Sequence, residues 1–197
     1  MQNMARTASS VLVVDDERAV LNQFANALRP RTVHTTDNVL EAVRIARTHA
    51  IDLALVDLRL ENQPPASALG VEGRLGRYPA NGLDLVAVLR RNHPDMTIAV
   101  ISGGLTWAYS LEARRLGADG CLSKHLDVSQ MISIIESGVL HEFDAPPSFP
   151  MSLDRAMYEY LTQTFIAEGR NIARTARILR ITRNKLKRRL RDNTPER

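Results

Sequence analysis

The chain has 197 residues, 44% of them hydrophobic, which is enough for one large domain or two modest ones that bury a core. Its apolar runs fall far short of the roughly 18 residues that a membrane span needs. Its first apolar stretch is too short, and too soon followed by acidic residues, for a secretory signal, so we expect a cytoplasmic protein without a membrane partner.

The net charge of +4 is divided unevenly along the chain. Residues 1–150 contain 14 Lys and Arg against 17 Asp and Glu, a balance of −3, whereas residues 151–197 contain 12 against 5, a balance of +7. This division suggests two domains with different partners, and the basic domain is expected to meet nucleic acid. Charge alone leaves open the alternative of a solvated basic face.

The first 138 residues alternate between strand-like and helix-like periodicity. The predicted strands are residues 11–14, 32–36, 51–56, 97–101 and 119–122. The predicted helices are residues 18–28, a segment capped by Asp37 or Asn38, and residues 82–91, 107–116 and 128–137. This order predicts an α/β fold, in which helices cover both faces of a mainly parallel sheet.

Residues 62–81 interrupt this alternation with three prolines, four glycines when Gly82 is counted, and little apolar pattern. A loop of about 20 structureless residues is unusual in a compact domain. Because the segment comes soon after Asp57, it is a candidate lid over that residue. A tolerated surface insertion is the simpler interpretation.

Five polar residues stand at the ends of predicted strands: Asp15, Asp16, Asp57, Ser102 and Lys124. The carboxyl ends of parallel strands share one sheet edge, and ligands of such sheets bind there. Three carboxylates at one edge repel one another, so a hard divalent cation is expected to neutralise them. One of the carboxylates can then serve as a nucleophile.

The last third of the chain predicts a proline-rich linker and a small all-helical domain, at residues 139–151 and 152–197. Ser152 caps a first helix that runs to about Glu168. A stripe on this helix is expected to pack in a core or a dimer interface, and it consists of Leu153, Met157, Leu161 and Phe165. Two further helices are predicted at 171–179 and from Thr182 onward.

Four motifs resemble the receiver domain of bacterial two-component response regulators, and the resemblance covers about residues 1–138. They are VLVVDDE at 11–17, LVDLRL at 55–60, ISG at 101–103 and LSK at 122–124. The resemblance implies a flavodoxin-like (βα)5 fold with a five-stranded parallel sheet. It also implies that the domain receives a phosphoryl group and is not an enzyme.

The resemblance assigns a role to each residue at the sheet edge. Asp57 would accept a phosphoryl group from a sensor histidine kinase, and Ser102 and Lys124 would contact that group. The ligands of Mg²⁺ would be the carboxylates of Asp15, Asp16 and Asp57 with the backbone carbonyl of Arg59. A phosphatase with an aspartyl nucleophile would need a second acid two residues after Asp57, where this chain has Arg59.

Two positions depart from the receiver pattern. His125 replaces the proline that usually follows the lysine, and Cys121 replaces an aromatic residue that often moves on activation. We expect Cys121 to be a small buried hydrophobic residue rather than a redox sensor. The two departures favour the alternative of a transcription regulator that binds DNA independently of phosphorylation.

The sequence NIARTARILRITRNKLKRRL at 171–190 resembles a Fis-type helix-turn-helix, and with PMSLDR at 150–155 it resembles the RegA/PrrA/ActR group of redox-responsive regulators. Arg180 stands where this motif usually has glycine. The protein is expected to bind double-stranded DNA as a homodimer, with the last helix of each copy in the major groove. Bases would be read by Thr182, Arg183 and Lys185, and phosphates would be held by Arg188 and Arg189.

Overall fold

A computed structural model describes residues 10–70, 81–137 and 151–191 of the chain. The strands are β1 (Ser10–Val14), β2 (Thr32–Thr36), β3 (Leu53–Asp57), β4 (Thr97–Ser102) and β5 (Gly120–Ser123). The helices around them are α1 (Arg18–Ala27), α2 (Val39–Thr48), α3 (Gly82–Asn92), α4 (Trp107–Arg115) and α5 (Val128–Ser137). Three more helices follow, α6 (Leu153–Ala167), α7 (Ile172–Ile178) and α8 (Arg183–Arg191).

The five strands form one parallel sheet in the order β2-β1-β3-β4-β5. This is the flavodoxin-like order, so the predicted fold class is confirmed. β3 is the central strand, and the register places Asp57 beside Ile101 and Ser102 beside Ser123. The carboxyl ends of β1, β3, β4 and β5 therefore lie together at one edge of the sheet.

Successive strand residues face opposite sides of the sheet and build two hydrophobic layers. One layer packs Leu12, Ala54 and Ile98 against α2, α3 and α4. The other packs Val13 and Leu55, among others, against α1 and α5. β1, β3 and β4 are buried on both faces, which explains why their sequences are mainly continuous apolar runs rather than alternating ones.

Polar caps set where α2, α3 and α4 begin. The side chain of Asn38 accepts hydrogen bonds from two backbone amides of α2, which selects Asn38 over Asp37 as its cap. Asn81 and Asp84 form a reciprocal capping box at the start of α3. Thr106 caps α4 by accepting a hydrogen bond from the amide of Tyr109 at its side-chain hydroxyl. None of the helices in the described ranges is long and apolar enough to cross a membrane.

The segment predicted to be a structureless loop contains a short 3-10 helix, Ala66–Leu69, so that prediction was wrong in part. Ala66 and Leu69 are buried in the core layer beside α2 and α3, and this burial stabilises the turn. Before it, Gln63 accepts a hydrogen bond from the amide of Val39 and is thereby fixed to the start of α2. The lid hypothesis mainly concerns residues 71–80, which lie outside the described residues.

The last three helices pack on one another around Leu161, Ala176 and Leu186. The predicted cap Ser152 is confirmed, and Asn171 and Thr182 cap the two helices that follow. This is the predicted all-helical domain. The chain turns between α7 and α8 at Arg180, whose φ of 53° is the left-handed conformation that glycine usually supplies.

The predicted packing stripe of α6 is divided between the core and the surface. Leu161 is buried and Phe165 is partly buried, whereas Leu153 is 82% exposed and Met157 is 41% exposed. An α-helix turns by about 100° per residue, so a spacing of four drifts by about 40° at each step and about 120° over the whole stripe. α6 instead packs against α4 with the face that contains Tyr158 and Thr162.

Candidate functional site

The predicted polar residues meet at the carboxyl edge of the sheet. Asp57 and Ser102 are the last residues of β3 and β4, one position further into the strands than predicted. Asp15 and Asp16 follow β1, and Lys124 follows β5. Asp15, Asp57 and Ser102 are buried, and Asp16 is exposed.

Lys124 joins the two buried carboxylates. Its Nζ atom lies 2.7 Å from Oδ2 of Asp15 and 3.0 Å from Oδ2 of Asp57. The peptide bond between Lys124 and His125 is trans. The lysine therefore reaches the carboxylates without the proline that usually follows it.

Backbone amides hold each of the three carboxylates in place. The amide of Glu17 donates to Oδ1 of Asp15 at 2.9 Å, and the amide of Arg59 donates to Oδ1 of Asp57 at 3.3 Å. Oδ2 of Asp16 accepts from the amide of Glu61 at 3.1 Å. These bonds orient the acids toward one another and connect the β1–α1 loop to the segment after β3.

The three aspartates fit a hard divalent cation. One carboxylate oxygen from each of Asp15, Asp16 and Asp57 lies within 4.8 Å of the others. Lys124 offsets one of the three negative charges, which leaves the cluster negative. Mg²⁺ and Ca²⁺ prefer such oxygen ligands, and a cation of this class would remove the remaining repulsion.

Burial shifts the protonation equilibria of the cluster. It raises the pKa of Asp57 to about 6, against the opposing effect of the Lys124 charge. Burial also raises the pKa of Asp15. For Lys124 burial acts to lower the pKa, but the charges of Asp57 and Asp15 outweigh it and raise the pKa. Lys124 therefore stays charged at neutral pH. Asp57 loses its proton at about pH 6, close to neutrality.

A backbone hydrogen bond links Ser102 to Lys124. The carbonyl of Ser102 accepts a hydrogen bond from the amide of Lys124 at 3.0 Å. Its Oγ atom accepts from the amide of Gly104 at 3.1 Å. As an acceptor in that bond, the hydroxyl keeps its own hydrogen for donation.

The candidate DNA-binding residues lie on the outer face of α8 and at its cap. Thr182, Arg183, Lys185, Arg188 and Arg189 are all exposed. Leu186 is fully buried on the inner face, where Leu190 also packs. The helix therefore presents a basic surface that no residue in the described ranges covers.

Sequence reasoning missed a set of residues that joins the helical domain to the sheet domain. Arg170 donates to the side chains of Asn81 and Asp84, and Arg155 donates to the carbonyl of Leu105. Partners about 50 to 90 positions apart leave no periodic signal. The only local indication is that Asp84 stands at a buried position of α3, where an unpaired acid would be costly.

Comparison with known proteins agrees with this geometry. Residues 11–136 match the response regulator receiver domain family. The photosynthetic apparatus regulatory protein RegA of Cereibacter sphaeroides is 33% identical over 94% of this chain and 92% of its own length. The acid tolerance regulatory protein ActR of Rhizobium meliloti is 29% identical over 95% of this chain and 88% of its own. Both names describe regulatory proteins rather than enzymes.

A solved structure resembles the chain over a similar extent. It is a response regulator protein from Burkholderia pseudomallei, crystallised with a phosphorylated aspartic acid, a calcium ion and citrate. It is 27% identical, covers 91% of this chain and 97% of its own, and superposes with a TM-score of 0.56. With the sheet order, the acidic edge and the family match, this likeness shows that the chain belongs to the two-component response regulators with a receiver domain, of the RegA/ActR kind.

Proposed function

We propose that a sensor histidine kinase phosphorylates this response regulator on Asp57 and so controls its binding to promoter DNA. The carrying observation is the buried carboxylate of Asp57, held 3.0 Å from the Lys124 ammonium beside two further acids. In the proposed transfer an Oδ atom of Asp57 attacks phosphorus, the P–N bond to the kinase imidazole breaks, and the imidazole leaves. The product is an acyl phosphate on the central strand.

The neighbouring residues would hold and stabilise the transferred group. Asp15, Asp16 and Asp57, with the carbonyl of Arg59, would bind Mg²⁺, which offsets negative charge during the transfer. Lys124 would pair with a phosphoryl oxygen, and the hydroxyl of Ser102 would donate to another. Asp15 is the less suitable acceptor, because its bonds to Lys124 and to a backbone amide, at 2.7 and 2.9 Å, are both shorter than those of Asp57, at 3.0 and 3.3 Å.

The output would come from the helical domain. We assign residues 1–138 to the receiver, 139–151 to a linker and 152–197 to a Fis-type helix-turn-helix. The base-reading residues would be Thr182, Arg183 and Lys185, whose exposure leaves them accessible to the major groove. Arg188 and Arg189 would grip the phosphate backbone, and the protein would act in the cytoplasm.

A homodimer would complete the DNA-binding unit. Leu153, Met157 and Tyr160 follow helical spacing on α6, and all three are exposed. An exposed apolar stripe of this kind fits a second copy of itself about a twofold axis. Such a dimer would present two α8 helices to two half-sites on one face of the DNA.

Intact-mass spectrometry with a small phosphodonor tests the phosphoacceptor. The wild type should gain one phosphoryl group in the presence of Mg²⁺, and Asp57→Ala should gain none. Asp37→Ala, which removes an exposed aspartate near the same edge, is the matched control and should behave as the wild type. Absence of an adduct on wild type with every donor, the cognate kinase included, would refute the proposal.

A regulator that binds DNA independently of phosphorylation is the second candidate. Cys121 favours it, because this fully buried small residue fills the place of the aromatic that usually moves on activation. DNA selected from a random pool by the purified protein supplies an operator for the comparison. Equal operator affinity for phosphorylated wild type and for Asp57→Ala would support this candidate over the first.

A further inference from the structure

Two histidine rings meet where the end of α2 packs beside the edge strand of the sheet. The centres of the His34 and His49 rings are 4.3 Å apart, and the ring planes are tilted by 48°. His34 lies on β2, which is the outermost strand, and His49 is the residue that ends α2. The fold rather than sequence spacing brings the two together, since 15 positions separate them along the chain.

The parallel sheet sets the direction of the His34 side chain. His34 is the register partner of Leu12 on β1. Paired residues of neighbouring parallel strands point to the same face, and Leu12 belongs to the core layer that packs against α2. The His34 ring therefore lies on the α2 face, where it is half-buried, whereas His49 is exposed. An ion from solution can reach this pair without any opening of the core.

Hydrogen bonds at the end of α2 determine which ring nitrogen of His49 carries the proton. Nδ1 of His49 lies 2.9 Å from Oγ1 of Thr48 and 3.3 Å from the carbonyl oxygen of Ile45. A carbonyl can only accept, and the Thr48 hydroxyl can donate its own hydrogen to the carbonyl of Arg44 at 3.0 Å. All these contacts are satisfied together when Nδ1 carries the hydrogen. This tautomer leaves the lone pair on Nε2 of His49.

The hydrogen bonds of His49 match those of metal-binding histidines. A histidine that binds a metal donates its other ring N–H to a backbone carbonyl, a carboxylate or water, and this bond orients the ring. The free carbonyls at the end of α2 also carry partial negative charge, which favours a cation near His49. Burial and the neighbouring His49 lower the pKa of His34 below its ordinary value, so the neutral ring that a metal requires predominates at neutral pH.

The distance between the rings suits one ion held by both. Two nitrogens that bind the same ion at roughly 2.0–2.1 Å lie about 3 Å apart. Rings with centres 4.3 Å apart can bring one nitrogen each to that separation with a small rotation of the exposed His49. Imidazole nitrogen is a ligand for copper, zinc and nickel, whereas Mg²⁺ and Ca²⁺ prefer oxygen.

We propose that His34 and His49 form a site for a divalent transition-metal ion, with Cu²⁺ bound most tightly. Each histidine supplies one ring nitrogen, and water fills the other positions around the ion. The site shares no residue with the aspartate cluster, whose oxygens suit a hard cation. A bound ion connects the end of α2 to the edge strand of the sheet. Its binding requires neither phosphorylation of Asp57 nor DNA.

Titration of the full chain with Cu²⁺, without an affinity tag and with excess Mg²⁺ to occupy the aspartate cluster, tests the site. In calorimetry, His34→Gln and His49→Gln should each weaken binding by at least about tenfold, because a single imidazole cannot chelate the ion. The double variant should lose little more, since both rings serve one ion. Electron paramagnetic resonance of the equimolar complex should show two nitrogen ligands in wild type and fewer in either single variant.

His93→Gln is the matched control for these variants. His93 also ends a helix of the receiver, α3, and its side chain is half-buried. This variant should bind Cu²⁺ with wild-type affinity and keep both nitrogen ligands. Wild-type affinity in both His34→Gln and His49→Gln would mean that the ion binds elsewhere on the chain, and would overturn the site.

Zn²⁺, which is diamagnetic, gives a measurement on wild type that does not depend on the folding of a variant. Saturating Zn²⁺ should shift the ring signals of two of the five histidines in nuclear magnetic resonance spectra. These should be the signals that are missing from the spectra of His34→Gln and His49→Gln. Shifts of all five histidines, or of none, would contradict a site built from this pair.

Discussion

Asp57 carries an electrostatic cost that Lys124 only partly offsets. The carboxylate is almost fully buried, and burial is the main reason that its pKa rises to about 6. A pKa that is higher in the folded than in the unfolded protein means that the ionised form destabilises the fold. The residue that is suited to accept a phosphoryl group is therefore a source of instability while the site holds no cation or phosphoryl group.

Asp57→Asn should therefore stabilise the receiver at neutral pH in the absence of divalent cations. Above about pH 6 the gain in the free energy of unfolding should be on the order of 1–3 kcal/mol. It should shrink as the pH falls toward about 4, the unfolded-state value, because the wild-type carboxyl is then protonated and neutral in the folded state.

Urea unfolding at a series of pH values, with a chelator present, measures this gain. Asp37→Asn removes an exposed carboxylate and serves as the control, with an expected change within about 0.5 kcal/mol. A wild type that is more stable than Asp57→Asn at pH 7.5 would show that the Lys124 pair outweighs burial.

Gly82 lets α3 begin directly against the end of β3, at Asp57. A Cβ atom there would lie 2.0 Å from the Asp57 carbonyl oxygen and 2.9 Å from its carbon, so backbone would have to move. Gly82→Ala should destabilise the receiver by about 2–4 kcal/mol and lower the rate of phosphorylation.

Gly103→Ala is the matched control for this steric argument. A Cβ atom at Gly103 meets nothing closer than the Cβ atom of Lys124 at 3.9 Å. Thermal unfolding of the two variants should show a large loss for Gly82→Ala and a small change for Gly103→Ala. Equal stability of both variants would mean that the start of α3 is not held against β3.

At the scale of elements, the sequence predicts the parts of the fold that follow from local pattern. Apolar runs locate β1, β3 and β4 within two residues, and cap residues such as Ser152 locate helix starts. The 3-10 helix after β3 was missed, because Ala66 and Leu69 are buried by neighbours far along the chain and follow no clear period. The interdomain partner of Arg170 was missed for the same reason.

The sequence predicts the site better than it predicts which face of α6 packs against the receiver. Parallel strands bring their ends to one edge whatever the rest of the sequence, so Asp15, Asp57 and Lys124 could be placed together in advance. The packing face of α6 depends on where α4 lies, and a four-residue spacing does not follow one helix face. As a result Tyr158 is buried and Leu153 is exposed.

On the basic face of α8, we expect some residues to read bases and others to contact phosphates. Arg188→Ala should weaken binding of all DNA sequences alike and lower the slope of log K against log salt by about 0.9. Arg183→Ala should cost about 1–3 kcal/mol on the selected operator and relax the preference at one base pair. Both side chains are exposed, so neither change should reduce folding stability.

Fluorescence anisotropy over a series of salt concentrations, on the operator and on a scrambled duplex, measures both effects. Arg47→Ala removes an exposed positive charge from α2 of the receiver and should leave both slopes unchanged. A loss of affinity of the same size in Arg47→Ala would mean that net charge, rather than α8, governs binding.

At the scale of the whole molecule, polar contacts join the acidic receiver to the basic helical domain. Contacts at the starts of α3 and α4 join the Asp57 edge to α6, and the outer face of α8 stays open. A single copy has one α8, whereas the twofold DNA site of the proposed function would need two such helices. The exposed stripe of Leu153, Met157 and Tyr160 is where a second copy is proposed to bind.

Met157→Lys should weaken self-association by at least about tenfold, measured by analytical ultracentrifugation of the phosphorylated protein. Each substitution counts twice in a twofold interface, and lysine keeps the helix propensity of methionine, so α6 itself should persist. Gln163→Lys places the same charge at an exposed position on another face of α6 and should dimerise as the wild type. Operator affinity should fall in parallel with dimerisation in Met157→Lys. Unchanged dimerisation in that variant would place the dimer interface elsewhere on the protein.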